Sequence, residues 1–210
     1  MNLKRSPTQL FAWHAVFIAV LVWSGIKPHD GATWLLEVLP AMLAWLVLVV
    51  TFSRFPLTTL VYVLILAHAI VLMVGGHYTY AEVPLFDALK PVFGWERNNY
   101  DKLGHFMQGF VPALVAREIL LRKAVFNSRA WCNFFIVCFC LAFSAFYELI
   151  EWWVALLSDD AAESFLGTQG YVWDTQSDMA FALCGAILAL LLLSRWHDRQ
   201  LQALARHVSE

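Results

Sequence analysis

Charge is what this sequence has least of. Only 14% of its 210 residues are Asp, Glu, Lys or Arg, against about 25% in an ordinary soluble domain. The few that occur punctuate apolar runs instead of collecting into tails, and the net charge of -2 offers no basic surface. A nucleic-acid partner is therefore not expected. Cysteine is scarce too. Cys132, Cys138, Cys140 and Cys184 all fall inside apolar stretches, where the thiol behaves as a small buried hydrophobe. Cys138 and Cys140 diverge by about 200° on a helix and cannot share a ligand, so neither a disulfide framework nor a zinc knuckle follows. Internal repeats and low-complexity segments are also missing.

Apolar residues fill the space that charge leaves: 60% of the chain is hydrophobic and 15% aromatic, with a mean hydropathy of +0.63. That composition predicts an all-α polytopic transmembrane bundle. Breaks at Lys27 to Ala32, Ser53 to Pro56, Gly75-Gly76, Arg122 to Arg129 and Ser158 to Ser177 divide it into about six spans, near 9–26, 33–52, 57–74, 103–121, 131–157 and 179–194. All belong to one integral membrane domain, 1–210. The first run follows Lys4 and Arg5 and ends in Trp23-Ser24-Gly25-Ile26-Lys27-Pro28, which reads as a turn rather than a cleavage site, so it is expected to remain as a span. Residues 75–102 form the longest loop, punctuated by Pro84, Pro91 and Gly94 and expected to be a partly ordered extracytoplasmic cap. The tail beyond Ser194 is expected to be a short surface helix.

With six spans both termini share a side. Lys4, Arg5, Arg54, Arg117, Arg122, Lys123, Arg129, Arg195, Arg199 and Arg206 fall there and outnumber Lys27, Lys90, Arg97 and Lys102 opposite, which predicts cytoplasmic termini. Under that topology three polar segments meet on the extracytoplasmic face: Asp101-Lys102-Leu103-Gly104-His105, Tyr147-Glu148-Leu149-Ile150-Glu151-Trp152, and Trp173-Asp174-Thr175-Gln176-Ser177-Asp178. Helical spacing puts Asp101, His105 and Gln108 on one face, Ser144, Tyr147, Glu148 and Glu151 on another, and Asp174 one turn from Asp178 if the last helix begins early.

Glu148 lies just inside the apolar core, where an ionised carboxylate costs a few kcal/mol and needs a partner. His105, Lys102 and a bound cation are the natural choices. His105, Glu148, Glu151, Asp174 and Asp178 are the candidate catalytic residues, and His105, Glu148, Glu151 and Asp178 the candidate ligands of a hard or borderline divalent metal, the one cofactor the set suggests. Bland readings stand beside these. Asp101 can N-cap its helix, Thr175 with Asp178 matches a capping box, His105 can be a hydrogen-bonded structural histidine, and Glu151 can be solvated between tryptophans. Glu37 and His68 read as helix-to-helix hydrogen-bonding groups, and His77 could join from the third span. Ala182 with Ala186 and Gly185 with Ala189 read as close helix packing.

These features support three function classes: metal-dependent or acid-base chemistry on a lipid-linked or envelope substrate, ion or small-solute transport, or a structural or partner-binding role. Membrane lipids are partners in any of them; the oligomeric state is not legible.

The motifs Asp101-Lys102-xx-His105-Phe106, Tyr147-Glu148-xx-Glu151-Trp152 and Trp173-Asp174-Thr175-Gln176-x-Asp178-Met179 resemble the YjdF-type family of bacterial inner-membrane proteins. The resemblance implies a multi-pass protein of the cell inner membrane and brings no established activity. More faintly, Asp-Lys-x-x-His-Phe followed by an acidic helix resembles the VanZ-like membrane proteins linked to glycopeptide resistance. The chain departs from that pattern at Glu151, where glutamine is expected, and lacks an arginine before the last acidic helix.

Overall fold

The computed structural model describes residues 7–157 and 169–208. Lys4, Arg5 and most of the loop between Ser158 and Ser177 lie outside them. Among the described residues the chain is all helix: α1 (Pro7–Ser24), α2 (Gly31–Thr51), α3 (Thr59–Tyr78), a 3-10 turn (Tyr80–Glu82), α4 (Pro84–Phe93), α5 (Tyr100–Arg122), α6 (Arg129–Leu157) and α7 (Asp174–Val208). Four are long and apolar enough to cross a membrane: α2, α3, α6 and the Asp174–Arg206 part of α7. The apolar stretch Thr8–Ser24 of α1 is shorter. α5 has the length, about 34 Å at 1.5 Å per residue, but carries Asp101, Lys102, Arg117, Glu118 and Arg122.

Local sequence explains three of the helix ends. Asp30 caps α2, its carboxylate accepting the Thr33 N–H at 2.7 Å. Pro84 opens α4, and Gly94, left-handed at φ +67°, closes it by donating its N–H to the Lys90 carbonyl. Two expected boundaries move. α3 runs through Gly75-Gly76 to Tyr78, because these glycines serve packing instead of termination. A Cβ on Gly75 would run into the Tyr80 ring, and one on Gly76 would lie 2.9 Å from Val38. The tail is no separate surface helix: α7 continues unbroken to Val208, since nothing between Ser194 and Gln200 breaks it and its last turns are tied to α3 and α5.

α5 is the axis of the molecule, packed against α3, α6 and α7, while α1 and α2 attach through α3. Its closest neighbour is α7, which runs parallel to it. A Cβ on Gly109 would strike the Ala182 carbonyl oxygen, and one on Gly185 the Phe106 carbonyl oxygen, so the two backbones touch. Ala182, Ala186 and Ala189 are fully buried along this seam, in accord with the small-residue spacing in the sequence. Outward faces are apolar and open: Val50, Phe134, Leu191 and Leu192 are each at least 60% exposed, a surface that suits lipid and not water.

A second polar cluster, unanticipated from sequence, ties the end of α5 where it leaves the bundle. Glu118 is fully buried. It accepts from the Thr58 N–H (2.9 Å), the Thr58 hydroxyl (2.7 Å), Arg122 (2.9 Å) and His197 Nε2 (3.0 Å). Arg117 donates to His197 Nδ1 at 3.0 Å and to Asp198 at 2.7 Å. Arginine can only donate, so Nδ1 of His197 is the acceptor and Nε2 carries the proton given to Glu118. Gln200 accepts the Leu60 N–H at 2.9 Å. Every charged group here has its partners, which is the pattern of a structural staple joining α3, α5 and α7.

Glu118→Ala strips acceptors from Thr58, Arg122 and His197 together. It is expected to cost about 3–5 kcal/mol, seen as a fall in the thermal midpoint of the detergent-solubilised protein, with Glu118→Gln losing less. Asp30 supplies a pH-dependent counterpart. The Thr33 backbone N–H holds its carboxyl below the usual carboxylate range. A depressed folded pKa means the stabilisation is present above the unfolded pKa and lost as pH falls through the folded one. Asp30→Ala is therefore expected to cost about 1 kcal/mol at neutral pH and nothing once the wild-type carboxyl is protonated, measured as paired melting curves from pH 7 to pH 3.

Candidate acid and histidine site between three helix ends

The parallel run of α5 and α7, with α6 antiparallel, stacks the start of α5, the end of α6 and the start of α7 at one end of the bundle. His105, Glu148, Glu151, Asp174 and Asp178 all lie there and are all buried, with Asp101, Lys102, Gln108 and Glu37. α7 does begin early, at Asp174, so Asp174 and Asp178 stand on consecutive turns.

Two layers make up the cluster. In the outer one, Lys102 Nζ lies 2.8 Å from Asp174 Oδ1, 2.7 Å from Asp178 Oδ1 and 3.7 Å from Asp101 Oδ2. Arg97 Nη1 donates to Asp174, and Arg97 Nη2 lies 3.7 Å from Asp101. The Tyr171 ring lies 5.5 Å from both cations. Gln169 clamps the backbone of Asn98, its carbonyl accepting the N–H at 3.0 Å and its amide donating to the carbonyl at 2.9 Å, and so holds the approach to α7 against the approach to α5.

The inner layer centres on His105. Its Nδ1 donates to Gln108 Oε1 at 3.1 Å, which turns Nε2 toward Asp101 Oδ1 at 3.3 Å and Glu148 Oε1 at 3.6 Å. Asp101, His105 and Asp178 each offer one ligand atom, all within 4.8 Å of one another. Glu148 Oε1 is buried with no hydrogen-bond partner, as is Ser144 Oγ one turn below. Glu151 follows one turn above. From α2, Glu37 accepts from the Tyr147 hydroxyl at 3.4 Å.

Several bland expectations give way. Asp101 does not cap α5, whose N-cap position is Asn99; it faces His105, Arg97 and Lys102. Asp178 serves no capping box, because its Oδ1 holds Lys102. Glu151 is 8% exposed and not solvated between tryptophans. His77 stays outside, its Nδ1 3.0 Å from the Ser24 carbonyl and its ring against Trp23. Lys102, considered as a partner for Glu148, belongs to the aspartates, which leaves the His105 imidazole beside Glu148.

Sequence reading missed two members. Arg97 sits in a loop and reads from sequence only as a topology marker, although its four-residue spacing from Asp101 is a usable signal. Glu37 was assigned to helix packing, and nothing local in α2 shows that it faces the start of α5.

The donor set fits a divalent cation: carboxylate oxygens and one imidazole within a few ångströms, with an orphaned carboxylate oxygen alongside. It equally provides an acid-base pair, because His105 Nε2 can exchange a proton with either carboxylate.

Lys102 sets the electrostatics of the outer layer, so Lys102→Met leaves Asp174 and Asp178 facing each other without it. We expect a loss of about 3 kcal/mol or more, measured as the thermal midpoint in detergent, and partial restoration in the Lys102→Met, Asp178→Asn double variant.

Comparison with known proteins agrees with the membrane setting. The family described as "Predicted membrane protein (DUF2238)" matches residues 9–199. "Inner membrane protein YjdF" of Escherichia coli (strain K12) is 54% identical over 183 residues, covering 87% of this chain and 88% of that protein. No solved structure matches. The family match spans the three polar segments, and the chain therefore belongs to the DUF2238 family and is an inner-membrane protein.

Proposed function

We propose that the chain is a six-span inner-membrane enzyme with cytoplasmic termini, whose His105, Asp101, Glu148 and Asp178 carry acid-base or metal-assisted chemistry at the extracytoplasmic headgroup level, on a lipid-linked or envelope substrate. The observation that carries this reading is Glu148 Oε1, buried without a hydrogen bond 3.6 Å from His105 Nε2.

The contrast with the Glu118 cluster supports it. Buried polar groups kept for stability are hydrogen-bonded, and Glu118 meets that rule completely. Around His105 the balance is different: six carboxyl groups, Glu37, Asp101, Glu148, Glu151, Asp174 and Asp178, share two permanently charged bases, Arg97 and Lys102. The excess acid calls for protons or a cation. A divalent ion held by Asp101, His105 and Asp178, with Glu148 in reach, would satisfy it and would polarise a substrate oxygen. Without a metal, Glu148 and His105 serve as base and acid.

α5 is the span whose composition argues against crossing, and its burial among α3, α6 and α7 supplies the reason it can cross. Its charges at both ends are paired inside protein instead of facing lipid. α1, at 18 residues, covers about 27 Å, enough for the hydrocarbon core of about 30 Å with little tilt.

Manganese and zinc titrations of the purified protein in detergent, followed by elemental analysis after dialysis, test this. One tightly held ion per chain is expected, lost in Glu148→Gln and in His105→Ala while Lys123→Ala keeps it. Absence of metal together with unaltered in vivo function of Glu148→Gln in a deletion strain overturns the reading.

A further inference from the structure

Part of the His105 cluster borders one end of a much larger space. A cavity of about 800 Å³ runs beside α5 from Asp101 and His105 to Lys123, about 33 Å at 1.5 Å per residue, which is the depth of the hydrocarbon core. α5 and α3 form its floor, α2 and α6 its walls. The walls do not pack against each other helix on helix; the Tyr147 to Glu37 hydrogen bond ties them at the polar end. Between its ends the lining is almost wholly apolar, from Ala44 and Leu48 on one wall to Phe139 and Phe143 on the other. A lateral apolar groove at membrane depth in an inner-membrane protein is filled by what surrounds it, the hydrocarbon chains of lipid.

The polar end selects among lipids. Glu37, Asp101 and Glu151 line it, with Tyr80, His105 and Tyr147. Arg97 and Lys102 are absent from it: they line a separate cavity of about 630 Å³ on the other side of α5, with Trp95 and Tyr171, and their closest partners are Asp174 and Asp178, with Asp101 at 3.7 Å from each cation. Arg54 and Lys123 line the groove's opposite end, whereas this one gathers three carboxyl groups with one imidazole and two phenols. A bare anionic head meets like charge there, whereas a head that donates hydrogen bonds meets complementary groups.

We propose that this groove binds the single hydrocarbon chain of a membrane lipid whose head is a hydrogen-bond donor, and that it delivers this head to His105. The inference rests on the preceding reading of the His105 cluster and names the class of substrate that cluster receives.

Photolabelling tests it on the full chain in phosphatidylcholine nanodiscs, with diazirine-bearing hexadecanol and the matching palmitic acid as probes. Saturable hexadecanol labelling of peptides carrying Ala44, Leu48, Phe139 and Phe143 is expected, about tenfold stronger than with palmitate. Ala44→Trp fills the groove from an exposed position of α2 and is expected to reduce the saturable label by about tenfold while manganese binding is retained. Leu191→Ala, on an exposed face of α7 outside the groove, should keep the label. Labelling spread evenly over the lipid-facing helices, or equal labelling by palmitate, overturns the proposal. If the groove stays unlabelled while manganese still titrates, the lipid proposal falls and the metal reading stands; groove labelling without any metal binding leaves the two standing the other way round.

Discussion

Backbone contact between α5 and α7 is the constraint on which the rest of the molecule depends. Gly109 lies against the Ala182 carbonyl and Gly185 against that of Phe106, so any side chain there would force the helices apart. Because the pair runs parallel, closing this seam brings together both ends at once. At one end Lys102 reaches Asp174 and Asp178; at the other Arg117 and Glu118 reach Asp198 and His197. Short aspartate side chains cannot bridge a wider gap, so both polar clusters are consequences of two glycines.

The clusters differ in what they do with their polarity. Glu118 spends its acceptors on four donors and leaves nothing over, as a staple inside lipid should, since an unmade hydrogen bond there has no water to fall back on. The His105 cluster holds more carboxyl groups than bases and leaves Glu148 Oε1 without a hydrogen bond. That residual demand, beside the polar end of an apolar groove, is what the proposed chemistry rests on. Catalytic arrangements commonly retain such unmet polarity.

Much of this was legible in sequence because a membrane simplifies the inference. Apolar runs between breakers become helices, and intramembrane acids such as Glu148 stand out against them. Spacing placed Asp101 with His105 and Glu148 with Glu151, and parity of the spans put the three polar segments at one end. Legibility failed where a residue's role depends on a neighbour distant in sequence. Gly75-Gly76 look like a helix stop, yet Tyr80 and Val38 fill the space where their side chains would be. Glu37 looks like a lone packing group, yet it meets Tyr147 across 110 positions. His197 and Gln200 look like a polar tail, yet they hold Glu118 and the Leu60 backbone.

The sequence by itself determined the all-helical class, the membrane setting and the set of polar residues that have no cheap place in it, because hydropathy and helical period are local properties. Only the tertiary structure decided which of those residues share a partner: Lys102 goes to the aspartates and leaves His105 to Glu148, Arg97 joins from a loop, and α2 stands off from α6 to leave a groove. Pairing and open space depend on how helix faces rotate and approach, and that is settled by packing between segments, which no single segment encodes.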